Sequence, residues 1–144
     1  MSTTNGTRCL QRIQAAPIVL TAALTTRQAV ADYLQKHQPE SVWLVGSGWE
    51  GEYSLEDTVC AGAIIQRLLE QMQVSYLDII GNDAALAATS LYLQWQTQLP
   101  KLIYQASHGQ RLLDQNNTVD LNYCAQLDIL DIVPIQKSPG VLVS

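Results

Sequence analysis

Three turns in this sequence hold the residue types best suited to chemistry. The first is Thr3-Thr4-Asn5-Gly6-Thr7-Arg8, which groups hydroxyls, an amide, a glycine and an arginine. Ahead of a helix such a segment can cradle an anion. Glycine admits close backbone approach, N–H groups at a helix start attract negative charge, and Arg8 adds a full positive charge. Thr and Asn are also favoured N-caps whatever the function, so residue types alone leave both readings open. Thr25-Thr26-Arg27 repeats the pattern in shorter form, and capping alone accounts for it. The third turn runs from Val45 to Asp57 and is the richest. Gly46, Gly48 and Gly51 form a literal G-x-G-x-x-G between an apolar run and a helix, the context of a dinucleotide-binding fingerprint. Two points count against a nucleotide. The fingerprint glycines lead directly into the helix, whereas Ser54-Leu55-Glu56-Asp57 is an S-x-x-D capping box that starts the helix beyond the third glycine. Glu50 and Glu52 would also face the pyrophosphate across a short gap.

The carboxylates of this turn support another chemistry. Glu50, Glu52, Glu56 and Asp57 gather hard oxygen ligands beside a candidate anion site, as Mg²⁺-assisted phosphate chemistry requires. The bland reading is equally consistent: Asp57 closes the capping box, Glu56 complements the helix dipole, and Glu50 and Glu52 lie in solvent. His108, in Ser107-His108-Gly109-Gln110-Arg111, reads as a turn histidine, either an acid or anion contact or an ordinary surface residue. His37, near Pro39, suits the end of a helix as a dipole complement.

These turns need elements to position them. Ile18-Val19-Leu20 and Val42-Trp43-Leu44-Val45 read as buried strands, and Ile129 to Ile135 as a final strand. Helical spacing links Val30, Tyr33, Leu34 and His37, and also Leu55, Val59, Ala63, Leu68 and Met72. Asn82 to Gln98 is apolar on more than one face, which predicts a well-buried helix. Pro100 opens a short helix through Ala106, and Thr118 caps another holding Leu121 and Tyr123. Strands alternating with helices predict a single α/β domain over residues 1–144, layered α/β/α with a mostly parallel sheet. In such a sheet ligands bind beyond the carboxyl ends of the strands, where the three turns would lie. The helix opened by Thr3–Arg8, with Cys9, Leu10 and Ile13 on one face, has no strand before it. The expectation is therefore the C-terminal part of a longer protein.

Composition narrows the partners. Of 144 residues 47% are hydrophobic and 15% charged, which suits a folded core and excludes intrinsic disorder. Net charge is -5 and the eight basic residues are scattered, so no face tracks nucleic acid. Cys9, Cys60 and Cys124 lack metal-type spacing and read as free thiols in a reducing compartment. The apolar stretch from Ala15 to Leu24 is too short to span a bilayer, so no membrane is expected and the cytoplasm is the default location. A homo-oligomer is left open.

Taken together, Thr3-Thr4-Asn5-Gly6-Thr7-Arg8, Gly51-Glu52-Tyr53-Ser54-Leu55-Glu56-Asp57 with Cys60-Ala61-Gly62, and Ser107-His108-Gly109 with Asp120 and Tyr123-Cys124 resemble the 2-phosphosulfolactate phosphatase (ComB) family in the same order. The resemblance implies an α/β hydrolase of coenzyme M biosynthesis that uses Mg²⁺ to release phosphate from a small sulfonated hydroxy acid. It implies that Thr4, Asn5, Gly6, Thr7, Arg8 and Ser54 hold the substrate's anionic groups. Glu56 and Asp57 would bind the metal or orient the attacking water. Family members are longer, and where they often carry Asn this chain has Thr26. The alternative is a truncated, inactive domain of the same fold that binds an anion or serves in assembly.

Overall fold

A computed structural model describes residues 4–144. Its helices are α1 (Thr4–Ile13), α2 (Arg27–His37), α3 (Leu55–Met72), α4 (Tyr76–Ile79), α5 (Asp83–Trp95), α6 (Leu99–Gln105), α7 (Ser107–Asp114) and α8 (Thr118–Cys124). Two short strands, β1 (Ile135–Ser138) and β2 (Val141–Val143), pair antiparallel.

α3 is the centre of the fold because its sequence is apolar on two faces. Val59 and Ala63 join Leu24, Tyr92, Leu99, Leu102, Ile103 and Leu121 in one cluster, which α5, α6 and α8 close. Ile64 points the other way and packs with Val30 and Leu34 of α2. Ser54 caps α3 by accepting the Asp57 N–H at 3.1 Å, as the S-x-x-D spacing predicts. Pro100 sits in the first turn of α6, where a missing N–H costs nothing.

α3 and α5 cross closely at Gly62, where an added Cβ would stand 2.0 Å from the Ala88 carbonyl oxygen. Gly109 plays the same part between α6 and α7, its absent Cβ falling 1.8 Å from the Ile103 carbonyl oxygen. That close contact explains why a glycine stands inside a helical Ser107–Arg111 rather than marking a turn.

The mixture of helices and strands agrees with the sequence reading, but the strand pairing differs. Among the described residues the ladders are antiparallel: β1 with β2, a bridge from Leu20 to Ile135, and a bridge from Trp49 to Glu52. Val42 to Val45, expected as a buried strand, forms no strand among the described residues, with Trp43 83% exposed. Of Ile129 to Ile135 only Ile135 enters a strand, and Ile129, Leu130 and Ile132 are exposed. Burial of a strand requires a continuous ladder and a covering layer; among the described residues 129–134 make only scattered backbone bonds, with Leu130 N–H donating to the Thr25 carbonyl at 2.9 Å and Thr21 N–H to the Pro134 carbonyl at 3.0 Å. α5 also departs from expectation: Ala88, Thr89 and Tyr92 are buried, while Leu86 and Leu93 face outward. Among the described residues no helix is long and apolar enough to cross a membrane.

Candidate functional site

The glycine turn is closed by its own hydrogen bonds. Glu50 and Gly51, with φ of 53° and 89°, form a tight reversal closed by Glu52 N–H donating to the Trp49 carbonyl at 2.9 Å and Trp49 N–H to the Glu52 carbonyl at 3.2 Å. Gly48 has φ +66°, and a Cβ there would lie 2.7 Å from the Glu52 carbonyl oxygen. Asp57 ties this turn to α3. Its Oδ2 accepts from the Gly48 N–H at 2.8 Å and from the Ser47 hydroxyl at 3.3 Å. Ser54 Oγ in turn donates to Glu56 Oε2 at 3.1 Å.

Between this turn, α1 and α7 lies an open cleft of about 780 Å³. α1 contributes Asn5, Gly6 and Arg8 to it. The turn contributes Ser47, Gly48, Trp49 and Glu50, and the start of α3 contributes Ser54, Glu56 and Asp57. α7 supplies His108 and Arg111. A smaller recess of about 190 Å³ separates α1 from residues 45–51.

The structure thus gathers Asn5, Gly6, Arg8, Ser54, Glu56 and Asp57 at one place, as the sequence suggests. The segment expected as a loop ahead of a helix is already the first turns of α1. Thr7 is exposed and does not line the cleft. Thr3 and the side chain of Thr4 lie outside the described residues. Glu52 joins the reversal through its main chain, is exposed and does not line the cleft, so the acidic group there is Glu50, Glu56 and Asp57. Trp49 and Arg111 escaped the sequence reading. A helical reading of Ser107–Arg111 would have found the arginine, since His108 and Arg111 are three apart and share a helix face.

Charge separates the arginines into two kinds. Arg27 is consumed internally: its guanidinium pairs with Asp128 and its Nη1 donates to the Tyr92 hydroxyl at 2.7 Å. Arg67 pairs with Glu70 at 3.3 Å. Arg8 and Arg111 make no ion pair among the described residues. Arg111 instead lies over Trp49, its Cζ 5.6 Å from the ring centroid. Glu56 Oε1 and His108 Nδ1 are buried without a hydrogen-bond partner among those residues. The Asp57 charge also reaches the thiol of Cys60, which burial first and this carboxylate second push up to about 12.

These donors can be tested against a Mg²⁺ ion, which the ComB resemblance implies. Among the described residues no three His, Cys, Asp or Glu side chains are grouped to hold a metal. Mg²⁺ does not need three: it commonly takes one or two carboxylates and completes its shell with water and substrate oxygens. The unpartnered Glu56 Oε1, with Asp57 adjacent, fits that smaller demand.

Fold and cleft together define a helix-rich mixed domain with an open polar cleft carrying two arginines and three carboxylates. The chain belongs to the 2-phosphosulpholactate phosphatase family, whose profile matches residues 1–139. It is 61% identical over 142 residues to a protein of Thermosynechococcus vestitus named "Probable 2-phosphosulfolactate phosphatase", covering 99% of this chain and 58% of that protein. Proteins of the same name from Cyanothece sp. and Nostoc punctiforme are 57% and 58% identical over 144 residues, covering all of this chain and 59% and 58% of theirs. The chain therefore spans rather more than half the length of these curated relatives.

Proposed function

We propose that the cleft binds and hydrolyses the phosphate monoester of a small sulfonated hydroxy acid, 2-phosphosulfolactate, giving sulfolactate and phosphate. The observation that carries this reading is the meeting of unpaired Arg8 with Glu56 and Asp57 in one open cleft. Monoester hydrolysis asks a protein chiefly for positioning and charge neutralisation. Arg8, beside Asn5 and the first turn of α1, supplies the counter-charge for the phosphate. Glu56 orients the attacking water through its unpartnered oxygen and takes its proton. The water oxygen forms the new bond to phosphorus as the ester P–O bond breaks, and the departing oxygen takes a proton from water in the cleft. Asp57 holds the turn that shapes the site, through Gly48 and Ser47. Asp57 would hold a Mg²⁺ ion, with Glu56 as its alternative ligand where it does not hold the water, and the ion when bound would neutralise phosphate charge. A cytoplasmic location accords with the free thiols of Cys9, Cys60 and Cys124.

The layered arrangement with a mostly parallel sheet belongs to the same proposal. Its support is the exposed apolar side chains of Val42, Trp43, Val45, Ile129, Leu130 and Ile132, which suit a covered sheet. Those exposed apolar side chains also favour a second reading, an anion-binding or assembly domain without turnover. Phosphate release from 2-phosphosulfolactate, measured with and without Mg²⁺, separates the two. The first reading expects Mg²⁺-dependent release that falls by about 10²-fold or more in Glu56→Gln. Equal release by native protein and Glu56→Gln removes Glu56 from the mechanism. Absence of turnover in the native protein, with a phosphate-induced rise in melting temperature, establishes the second reading.

A further inference from the structure

We infer that Arg111, seated on Trp49 beside His108, forms a second anion subsite that selects phosphate esters carrying another acidic group. The inference rests on the phosphatase reading for the identity of the first group, and on separate residues for the second. Arg8 stands on α1, whereas Arg111 and His108 stand on α7. Trp49 organises the α7 pair: the guanidinium lies over its ring at 5.6 Å, and the His108 ring is tilted against it at 5.7 Å with an interplanar angle of 45°. An arginine held by a ring face keeps its N–H edges available to an oxyanion. His108 adds the buried Nδ1 that has no partner among the described residues.

Two features make this a built arrangement. Gly109, between the two residues, brings the α7 backbone against the Ile103 carbonyl, which fixes the height of the helix. Trp49 sits in the reversal that Gly48 and Gly51 shape and that Asp57 ties to α3 through the Gly48 N–H. A cation that is fixed in a cleft and lacks a carboxylate partner favours a ligand that brings its own negative charge. With phosphate held at Arg8, the group at Arg111 is the carboxylate or sulfonate on the same small molecule.

The test compares kcat/KM for 2-phosphosulfolactate and for phenyl phosphate, which lacks a second acidic group. In Arg111→Met the ratio of the two falls at least tenfold, and Trp49→Leu moves it in the same direction. A ratio within twofold of native in Arg111→Met overturns the proposal. A second arm uses melting-temperature shifts with sulfolactate and with inorganic phosphate separately, so that it does not depend on turnover. Arg111→Met is expected to lose the sulfolactate shift and keep the phosphate shift. Retention of both shifts, or loss of both, refutes the subsite. Native protein that hydrolyses neither ester but shows the expected pattern of shifts refutes the phosphatase reading and leaves the subsite standing.

Discussion

Replacing Gly62 by alanine tests the packing that holds the start of α3, and hence the cleft, in place. Two terms oppose each other. Alanine is the better helix former and gains about 1 kcal/mol in a helix interior. Against that, the new methyl would stand 2.0 Å from the Ala88 carbonyl oxygen, 2.5 Å from its carbon and 3.0 Å from the Thr89 nitrogen. Ordinary contact begins near 3.4 Å, so α5 must retreat by more than an ångström, and the atoms in the way are main chain rather than a movable side-chain tip. Retreat loosens the fully buried Val59, Ala63 and Thr89 on both helices. Overpacking of a tight core typically costs about 1–3 kcal/mol, and an overlap with rigid backbone belongs at or beyond the upper end. The net is a loss of roughly 2 kcal/mol, or a fall in melting temperature of about 4–8 °C for a domain of this size. Gly81→Ala is the control, because nothing lies within 4 Å of its Cβ position. Thermal and urea unfolding of the two variants decide the matter. A Gly62→Ala protein as stable as native, or more so, refutes the reasoning, since α5 could then shift without cost.

Two further predictions concern groups away from the cleft surface. The Cys60 thiol, raised from 9.0 to about 12, stays neutral in the fold while an unfolded chain ionises above 9. Stability from this group is therefore complete below pH 9 and is lost as pH rises towards 12; between pH 8 and pH 10 the loss is about 1.3 kcal/mol. Urea unfolding should show this extra decline in native protein and not in Cys60→Ala; equal declines would contradict it. The second concerns Asp128, which pairs with Arg27 and accepts the Gln28 N–H at 2.6 Å at the start of α2. Asp128→Asn should cost about 2–3 kcal/mol, reduced from the value for a fully buried pair because both side chains keep some solvent contact. A double-mutant cycle with Arg27→Met should return a coupling energy above about 1 kcal/mol, and a value near zero would show the clip to be incidental.

What the sequence disclosed and what it hid divide along physical lines. The start of α3 was legible because capping is local: Ser54 and Asp57 are three apart, and the bond they make needs no distant partner. α2 and α6 were legible for similar reasons, from apolar spacing and from Pro100. The strands were not. Val42–Val45 has the residue types of a buried strand, yet pairing is a property of two segments and apolar content records only one. Glycine misled in both directions. At Gly109 it marked a close helix contact rather than a turn, while Gly6 lies inside α1 rather than ahead of it. The cleft was half legible: its α1 and α3 residues announce themselves by type, but Trp49 and Arg111 matter only because two distant segments meet.

The glycine fingerprint shows why local chemistry must be read with its neighbours. Gly46, Gly48 and Gly51 lie in the order of a nucleotide loop, and each has a different reason to be glycine. Gly51 completes the reversal, Gly48 needs a positive φ with the Glu52 carbonyl close by, and Gly46 approaches the Asp57 Cβ, to which an added methyl would come within 3.2 Å. The Gly48 amide, which would cradle a phosphate in a nucleotide site, already donates to Asp57. The turn thus carries its own internal anion, and an incoming phosphate would have to displace a carboxylate held by Gly48 and Ser47 together. Displacement would also unseat the link that joins the turn to α3. An external phosphate therefore gains more at Arg8, which no carboxylate neutralises among the described residues, than at the glycines. Asp57 keeps the turn closed against the anion, and Arg8 with Arg111 leaves the cleft open to one.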